Sequence, residues 1–225
     1  MNCTLAIKRL VTDAPTLDAF NTFTSKTDGA DKVFRVLTYV GRIILAYINK
    51  TGTRSIALSA LLQSFSELRV LLRFFGLPKA IVWLESLLLQ SKGDVNQLQL
   101  MQALSLLIYY PMEHVCFLSK KGFFPSIKPH EASLSRWSSR AWLFYLIVDL
   151  YLVYTEWKKL PDTIVSDDKD ASVKEKRRLT IKALGIFGDL PLAITWSMEE
   201  SFLSDSMVGV FGTISSITGI SLRLM

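Results

Sequence analysis

Basic residues are concentrated in one part of this chain, and they recur with the period of a helix. Between Lys32 and Lys79 there are eight basic residues and one acidic residue, Glu67. Residues 1–92 carry 12 Lys and Arg against 6 Asp and Glu, and the remainder carries 14 of each, so the net charge of +6 lies in the N-terminal part. Because these cations border broad apolar faces, the pattern is typical of helices that lie on an anionic lipid surface.

The first such helix is predicted over residues 28–49. At 100° per residue, Lys32, Arg35 and Arg42 share an arc of about 80°. Val, Leu, Ile and Tyr side chains cover about 140° on the opposite side, which is wider than the apolar stripe of an ordinary surface helix. We therefore predict that these three cations bind an anionic phospholipid membrane while the apolar face enters the lipid.

A second helix of the same kind is predicted over residues 57–75. Arg69 and Arg73 lie on its narrow polar stripe, and most of the other side chains are Leu, Phe, Val or Ala. Pro78 is expected to end or kink this helix, and a further helix is predicted over residues 79–90. Arg69 and Arg73 complete the set of predicted membrane-binding residues.

A soluble helical bundle is the alternative interpretation of these amphipathic helices, because solvated Lys and Arg commonly cover the outer face of such helices. Two features argue against it. The polar arcs contain few Glu residues, so the Glu–Lys pairs that are usual one turn apart on soluble helices are missing. The hydrophobic share is 50%, which is high for a soluble domain that carries 20% charged residues.

Four apolar segments follow, over residues 98–118, 140–157, 181–198 and 206–222. A helix that crosses a membrane needs about 20 mostly apolar residues, with about 17 as the minimum. Only the last segment is free of charge over that length. The sequence therefore predicts one short apolar helix near the C-terminus that can insert deeply into a membrane.

Two acidic residues lie inside these apolar segments. A carboxylate at mid-membrane costs about 3 kcal/mol on insertion scales, so each needs a partner. Asp149 and Asp189 are therefore expected to pair within the bundle, with Arg140 or Arg178 as candidates. Alternatively, the two carboxylates line the polar path of a channel.

The last apolar segment contains small residues at helical spacing, namely Gly209, Gly212, Ser216 and Gly219. Small residues four positions apart let helices approach closely in lipid, where burial of apolar surface supplies little drive for helix association. We predict that these four residues pack against a neighbouring helix. The alternative is that 209–216 forms a helix start or a loop.

The fold predicted from these segments is all-α, a membrane-associated helical bundle with amphipathic N-terminal helices and a short apolar C-terminal helix. An acidic run followed by a basic run over 161–178 predicts a solvated linker. The predicted regions are the basic helices of 1–92, an apolar helical region over 93–160, the linker of 161–178 and the C-terminal apolar helices of 179–225.

Motifs for catalysis or metal binding were sought and none was found. The chain has two histidines and two cysteines, Cys3 and Cys116, without the spacing of a zinc site or a disulfide framework. It has no phosphate-binding loop, nucleophile elbow or His-Glu-x-x-His pattern. We therefore predict no catalytic residue, no metal and no cofactor. Nucleic acid is not an expected partner, because the cations border Leu and Ile faces rather than stacking aromatic residues.

Four blocks of the sequence, taken in order, resemble the peroxin-11 family of peroxisomal membrane proteins. Residues 31–42 have the pattern Asp-Lys-x-x-Arg…Tyr…Arg, and 69–76 read Arg-Val-Leu-Leu-Arg-Phe-Phe-Gly. Residues 109–122 contain Tyr…Glu-His-x-x-Phe-Leu…Gly, and 209–219 read Gly-x-x-Gly-Thr-x-Ser-Ser-x-x-Gly. The blocks span nearly the whole chain.

This resemblance implies a non-enzymatic protein of the peroxisomal membrane. Such a protein binds, curves and elongates the membrane ahead of peroxisome fission and proliferation, associates with itself as a homo-oligomer and works with fission machinery. A helix inserted about 5–10 Å into one leaflet adds area to that leaflet and favours curvature. Two other functions remain open: a channel for small metabolites, and a peripheral helical scaffold whose basic faces bind an acidic protein.

Overall fold

A computed structural model describes residues 14–52, 55–89, 97–160 and 169–225, and all regular elements in these ranges are helical. The first four helices are α1 (Ala14–Thr24), α2 (Thr27–Lys50), α3 (Ile56–Arg73) and α4 (Gly76–Leu88). They are followed by α5 (Gln97–Lys120), a 3₁₀ helix (Pro125–His130), α6 (Glu131–Lys159), α7 (Lys169–Ser197) and α8 (Asp205–Leu224). The predicted all-α class is confirmed.

Local sequence signals explain several helix ends. The hydroxyl of Ser55 accepts a hydrogen bond from the backbone N–H of Leu58 at 3.3 Å, which caps the start of α3. Pro78 lies in the first turn of α4, where its missing N–H breaks no helical hydrogen bond. Gly122 follows α5 with φ of +89°, a left-handed conformation that favours glycine.

The long helices form a ring. Going around it, α2 packs on α8, α8 on α7, α7 on α6, and α6 on α5. α3 packs on α2 and α4 on α5, and the contacts of α3 with α4 and α5 close the ring. The predicted N-terminal and C-terminal regions are therefore neighbours in the fold, because α2 lies along α8.

The apolar core is confined to the contacts between neighbouring helices. One cluster joins α6 and α7 through Leu146, Val153, Leu179, Ile186 and Ala193. A second joins α2, α7 and α8 through Tyr39, Leu192, Leu203 and Val208. These clusters hold adjacent helices together and leave the middle of the ring to other side chains.

Large apolar side chains cover the outside of the ring. On α6 the exposed residues include Phe144, Ile147, Tyr151 and Tyr154; on α7 Leu184 and Phe187; on α8 Val210, Ile214 and Ile217. Soluble monomers rarely expose contiguous apolar surface on this scale. The arrangement is that of a helical bundle with an apolar outer surface.

Two helices are long and apolar enough to cross a membrane by length and composition, over Ala171–Ser197 and Asp205–Leu224. The second contains the apolar segment 206–222 predicted from the sequence. The first was not predicted, because Lys182 and Asp189 interrupt its apolar segment 181–198.

The linker predicted over 161–178 differs from the structure in its second half. α7 begins at Lys169, so residues 169–178 are helical, while 161–168 lie outside the described residues. Two features explain why the helix extends into this region. Its residues have good helix propensity, and Arg178 Nη2 forms an ion pair with Glu175 Oε1, one turn away, at 2.6 Å.

Candidate functional site

A polar cavity of about 1050 Å³ occupies the middle of the ring. We call it the central cavity. Its wall includes aromatic side chains from five helices, among them Tyr39, Trp83, Tyr110, Trp142 and Trp196. Its charged lining residues are eight cations, Lys32, Arg35, Arg42, Arg69, Arg73, Lys79, Lys120 and Arg223, and four carboxylates, Asp28, Asp31, Glu113 and Glu199.

All five residues predicted to bind the membrane line this cavity. The structure therefore differs from the expectation that they face lipid headgroups. The polar side of α2 and α3 is turned inward, and the apolar side is turned outward. The period of an amphipathic sequence defines two faces, but it does not determine which of them faces the protein.

Carboxylates from distant parts of the chain make the inward orientation possible. Arg35 of α2 is buried and forms an ion pair with Asp189 of α7. Arg69 Nε lies 3.1 Å from Asp31 Oδ1, again between buried or nearly buried side chains. A buried guanidinium is tolerated when a carboxylate of this kind satisfies it.

The third pair joins α3 to α5. Arg73 donates two hydrogen bonds to Glu113, from Nε at 2.8 Å and from Nη2 at 2.6 Å. The hydroxyl of Tyr109 donates a further bond to the same carboxylate at 3.0 Å. Such a bidentate arrangement fixes the geometry of both side chains, so the pair links the two helices rigidly.

One aromatic ring connects two of these pairs. The guanidinium groups of Arg35 and Arg69 each lie 5.6 Å from the centre of the Tyr39 ring. Cation–π contacts of this length are favourable, and more so away from water. Tyr39 is 3% exposed and also contacts α8, so it couples the cavity wall to the α2–α8 contact.

Three cavity cations, Lys32, Arg42 and Lys120, have no carboxylate partner among the described residues. Lys120 is exposed to solvent, whereas Lys32 and Arg42 are partly buried. Burial lowers the pKa of Lys32 to about 8, and the nearby charges of Arg35 and Arg223 act in the same direction. Asp31 and Asp189 oppose this shift without cancelling it. In addition, the buried Nε of Arg35 has no hydrogen-bond partner in the described part of the chain.

The small residues of α8 lie at the contact with α2. A side chain on Gly212 would overlap the ring of Tyr39, and one on Gly209 would lie 3.0 Å from the backbone oxygen of Tyr39. Gly219 lies beside the stem of Lys32, and Ser216 is fully buried. Since increasing numbers on α8 meet decreasing numbers on α2, the two helices run antiparallel.

All four residues lie within α8, so the loop interpretation of 209–216 is excluded. The neighbouring helix that they meet belongs to the same chain. The sequence did not identify the equivalent contact on α7, where Gly188 approaches the backbone oxygen of Phe211. The spacing of Gly185 and Gly188 was the sequence signal that could have identified this contact.

The partners expected for the two carboxylates in apolar segments, Asp149 and Asp189, were wrong. Asp149 pairs with Lys182 Nζ at 2.9 Å and accepts a hydrogen bond from Gln102 at 3.2 Å. Of the two arginines proposed, Arg140 donates to a backbone oxygen and Arg178 pairs with Glu175. The arginines expected from the sequence are therefore not the partners of these carboxylates, and the sequence alone did not predict the long-range pairs.

Exchanging Arg69 and Arg73 together for Glu is expected to destabilise the fold. Each change places a new carboxylate against Asp31 or Glu113, and breaking one buried pair costs about 3–5 kcal/mol. Thermal unfolding of the purified protein in detergent, followed by circular dichroism, measures the effect. Lys121→Glu is the control, because the pair of Lys121 with Glu67 is exposed and contributes little. A double variant with wild-type stability would contradict the paired geometry.

A polar, charged interior, an apolar exterior and two helices of spanning length define a class, the membrane-associated helical bundles. The chain belongs to the PEX11 family, since residues 17–222 match the model of peroxisomal biogenesis factor 11. An uncharacterized protein of Schizosaccharomyces pombe is 27% identical over 202 residues, covering 89% of this chain and 91% of the relative. No solved structure matches the chain.

Family membership supports a location at the peroxisomal membrane and a role in peroxisome proliferation. The family is one of biogenesis factors rather than a known enzyme family. These statements agree with the resemblance of the four sequence blocks. They leave the way in which this chain acts on the membrane to be argued from its geometry.

Proposed function

We propose that the protein binds the peroxisomal membrane through the apolar outside of its ring and curves and elongates that membrane ahead of fission. The observation that carries this proposal is the outward apolar side of α2. Leu37, Val40, Ile44 and Tyr47 are exposed on it, while Arg35 on the opposite side is buried. We call these four residues the outer face of α2.

The outer face of α2 supports insertion into a single leaflet. Burying one large apolar side chain contributes about 1.5–3 kcal/mol, so several together hold a helix at the lipid boundary. The added area in one leaflet favours curvature. Anionic headgroups then meet exposed lysines at the helix ends, such as Lys26 and Lys50, rather than the arginines of the cavity.

Exchanging Leu37 and Ile44 together for Asp is expected to abolish binding to anionic liposomes and tubulation while leaving the fold intact. Both side chains are about half exposed, at 46% and 48%, so the fold does not depend on them. Flotation with liposomes and electron microscopy measure binding and tubulation.

The matched control for that double variant is Asn49→Asp with Ser59→Asp, which adds the same charge at exposed polar positions. Circular dichroism establishes that both proteins fold. If the Leu37 and Ile44 variant tubulates liposomes as well as wild type, the outer face of α2 does not carry the function.

Self-association and recruitment of fission machinery are further parts of the proposal. The resemblance of the four sequence blocks implies both, and an oligomer would align many inserted helices along a tubule. Chemical cross-linking of the protein on liposomes tests the oligomer. Failure to form cross-linked species under conditions that give tubules would remove self-association from the mechanism.

A channel for small metabolites is the second candidate, and the central cavity favours it. Asp149 and Asp189, which the sequence suggested for the polar path, are absent from the lining of that cavity. Conductance by the purified protein across planar bilayers is the direct test. A peripheral scaffold, the third function considered, predicts release from the organelle by alkaline extraction.

A further inference from the structure

We propose that the central cavity is a binding site for a phosphate ester, held by Lys32, Arg42 and the free Nε edge of Arg35. The site goes beyond the membrane-curving function, because it lies on the inside of the ring and not on its outer surface. The argument follows from charge, geometry and the available volume.

The charges do not balance inside the cavity. Four cations, Lys32, Arg35, Arg69 and Arg73, lie close together on the inner sides of α2 and α3. Three carboxylates, Asp31, Asp189 and Glu113, satisfy the three arginines. The charge of Lys32 is left over, and Arg42 adds another on the same side of α2. A buried charge without a partner is costly, so the cavity favours an anion as its occupant.

All three donor residues line the central cavity. Lys32, Arg35 and Arg42 occupy one face of α2, over about 15 Å of helix at 1.5 Å per residue. Lys32 supplies an ammonium, and Arg35 supplies a buried N–H that has no partner among the described residues. Arg42 supplies a guanidinium that is free of ion pairs with described carboxylates. These are the donors that anionic oxygens accept from most strongly.

The chemistry of the wall indicates a phosphate rather than a carboxylate. Arginine-rich sites match the oxygens of phosphate in bidentate geometry. A phosphate monoester carries about −1.5 to −2 charges at neutral pH, whereas a carboxylate carries one. The excess of cations in the wall therefore suits the more highly charged group. A volume of about 1050 Å³ also leaves room for the organic part of the ester beside Trp83 and Trp142.

Two sources can supply this chemistry, a phospholipid headgroup and a water-soluble phosphate ester. The purified full-length protein in dodecyl maltoside is titrated with sodium pyrophosphate, or with phosphatidic acid in mixed micelles, with sodium chloride at matched ionic strength as reference. Thermal unfolding and isothermal titration calorimetry are the readouts. Stabilisation beyond the chloride reference by pyrophosphate alone indicates a soluble ester. Stabilisation by phosphatidic acid alone indicates a lipid headgroup, and stabilisation by both anions indicates a site that is open to either source.

Lys32→Met separates binding from a structural role. It removes a partly buried charge that has no ion pair with the described carboxylates, so the ligand-free variant is expected to unfold at a higher temperature than wild type. Its affinity for the stabilising anion is expected to fall about tenfold. A structural lysine would show the opposite, a lower unfolding temperature with unchanged affinity. Lys121→Met is the control, because Lys121 is an exposed lysine outside the cavity.

Arg42→Gln provides a second test if Lys32→Met alters the fold. Arg42 has no ion pair with the described carboxylates, so its loss is expected to spare the fold and to weaken anion binding about tenfold. The proposal is overturned if neither anion stabilises the wild-type protein beyond the chloride reference. It is also overturned if Lys32→Met and Arg42→Gln bind the anion as tightly as wild type does.

Discussion

Replacing Asp189 with Asn is expected to lower the free energy of unfolding by about 3–5 kcal/mol, because it leaves the guanidinium of Arg35 buried without a counter-charge. Both side chains of this pair are largely inaccessible, with 9% and 13% exposure. Removing Asp189 also increases the excess of positive charge beside Lys32. Thermal or urea-induced unfolding in detergent, followed by circular dichroism, measures the loss.

A double-mutant cycle isolates the pair from other effects. Arg35→Leu alone leaves a buried carboxylate, and Asp189→Leu alone leaves a buried guanidinium, so each is expected to be similarly destabilising. Arg35→Leu with Asp189→Leu removes both charges and recovers much of the stability. Glu175→Gln is the control, since its partner Arg178 lies one turn away at the surface. Wild-type stability of Asp189→Asn would contradict an inward-facing Arg35.

The pair also explains why an acid is tolerated in an apolar helix. Asp189 interrupts the apolar stretch of α7, and on insertion scales an isolated carboxylate costs about 3 kcal/mol. Arg35 of α2 pairs with this carboxylate, so Asp189 is not an isolated charge in α7. Asp189 in α7 and Arg35 in α2 therefore act as a single ion pair in the fold, although 154 positions separate them in the sequence.

Local sequence patterns predicted the helices well. The helix predicted over 57–75 corresponds to α3, and the helix predicted over 79–90 overlaps α4. These features depend on residues within a few positions of one another, because the hydrophobic period, the helix caps and the turn conformations are all local. The all-α class follows from the same signals.

The orientation of the helices could not be predicted in the same way. Lys32, Arg35 and Arg42 were correctly placed on one side of a helix, but that side faces the cavity instead of headgroups. Orientation depends on partners such as Asp189 and Glu113, which are remote in the sequence. A single sequence contains no signal that joins a given arginine to a given distant carboxylate.

The same limit applied to the small residues of the last helix. Their spacing predicted close packing against a neighbour, and the structure places them against α2. The identity of that neighbour required the fold. The predicted neighbouring helix is, in the structure, a helix of the same chain.

Replacing Gly212 with Leu is expected to separate α2 from α8 and to destabilise the protein by about 3 kcal/mol. Any side chain at this position overlaps the ring of Tyr39, and forcing extra volume into a packed contact costs about 1–3 kcal/mol or more. Tyr39 is held between Arg35 and Arg69, so the ring cannot move without disturbing both ion pairs. Thermal unfolding in detergent measures the loss, and Val210→Leu is the control, since Val210 is 46% exposed on the same helix.

A second substitution shows whether the clash is with Tyr39. Tyr39→Ala removes the ring, so Tyr39→Ala with Gly212→Leu is expected to be less destabilised than the sum of the two single variants. Additive losses would place the clash elsewhere. If Gly212 instead serves contact between two copies, Gly212→Leu leaves the unfolding temperature of the monomer unchanged and reduces only cross-linking. Because the ring of Tyr39 fills the space beside Gly212 within one chain, we expect the loss of stability to appear in the monomer itself.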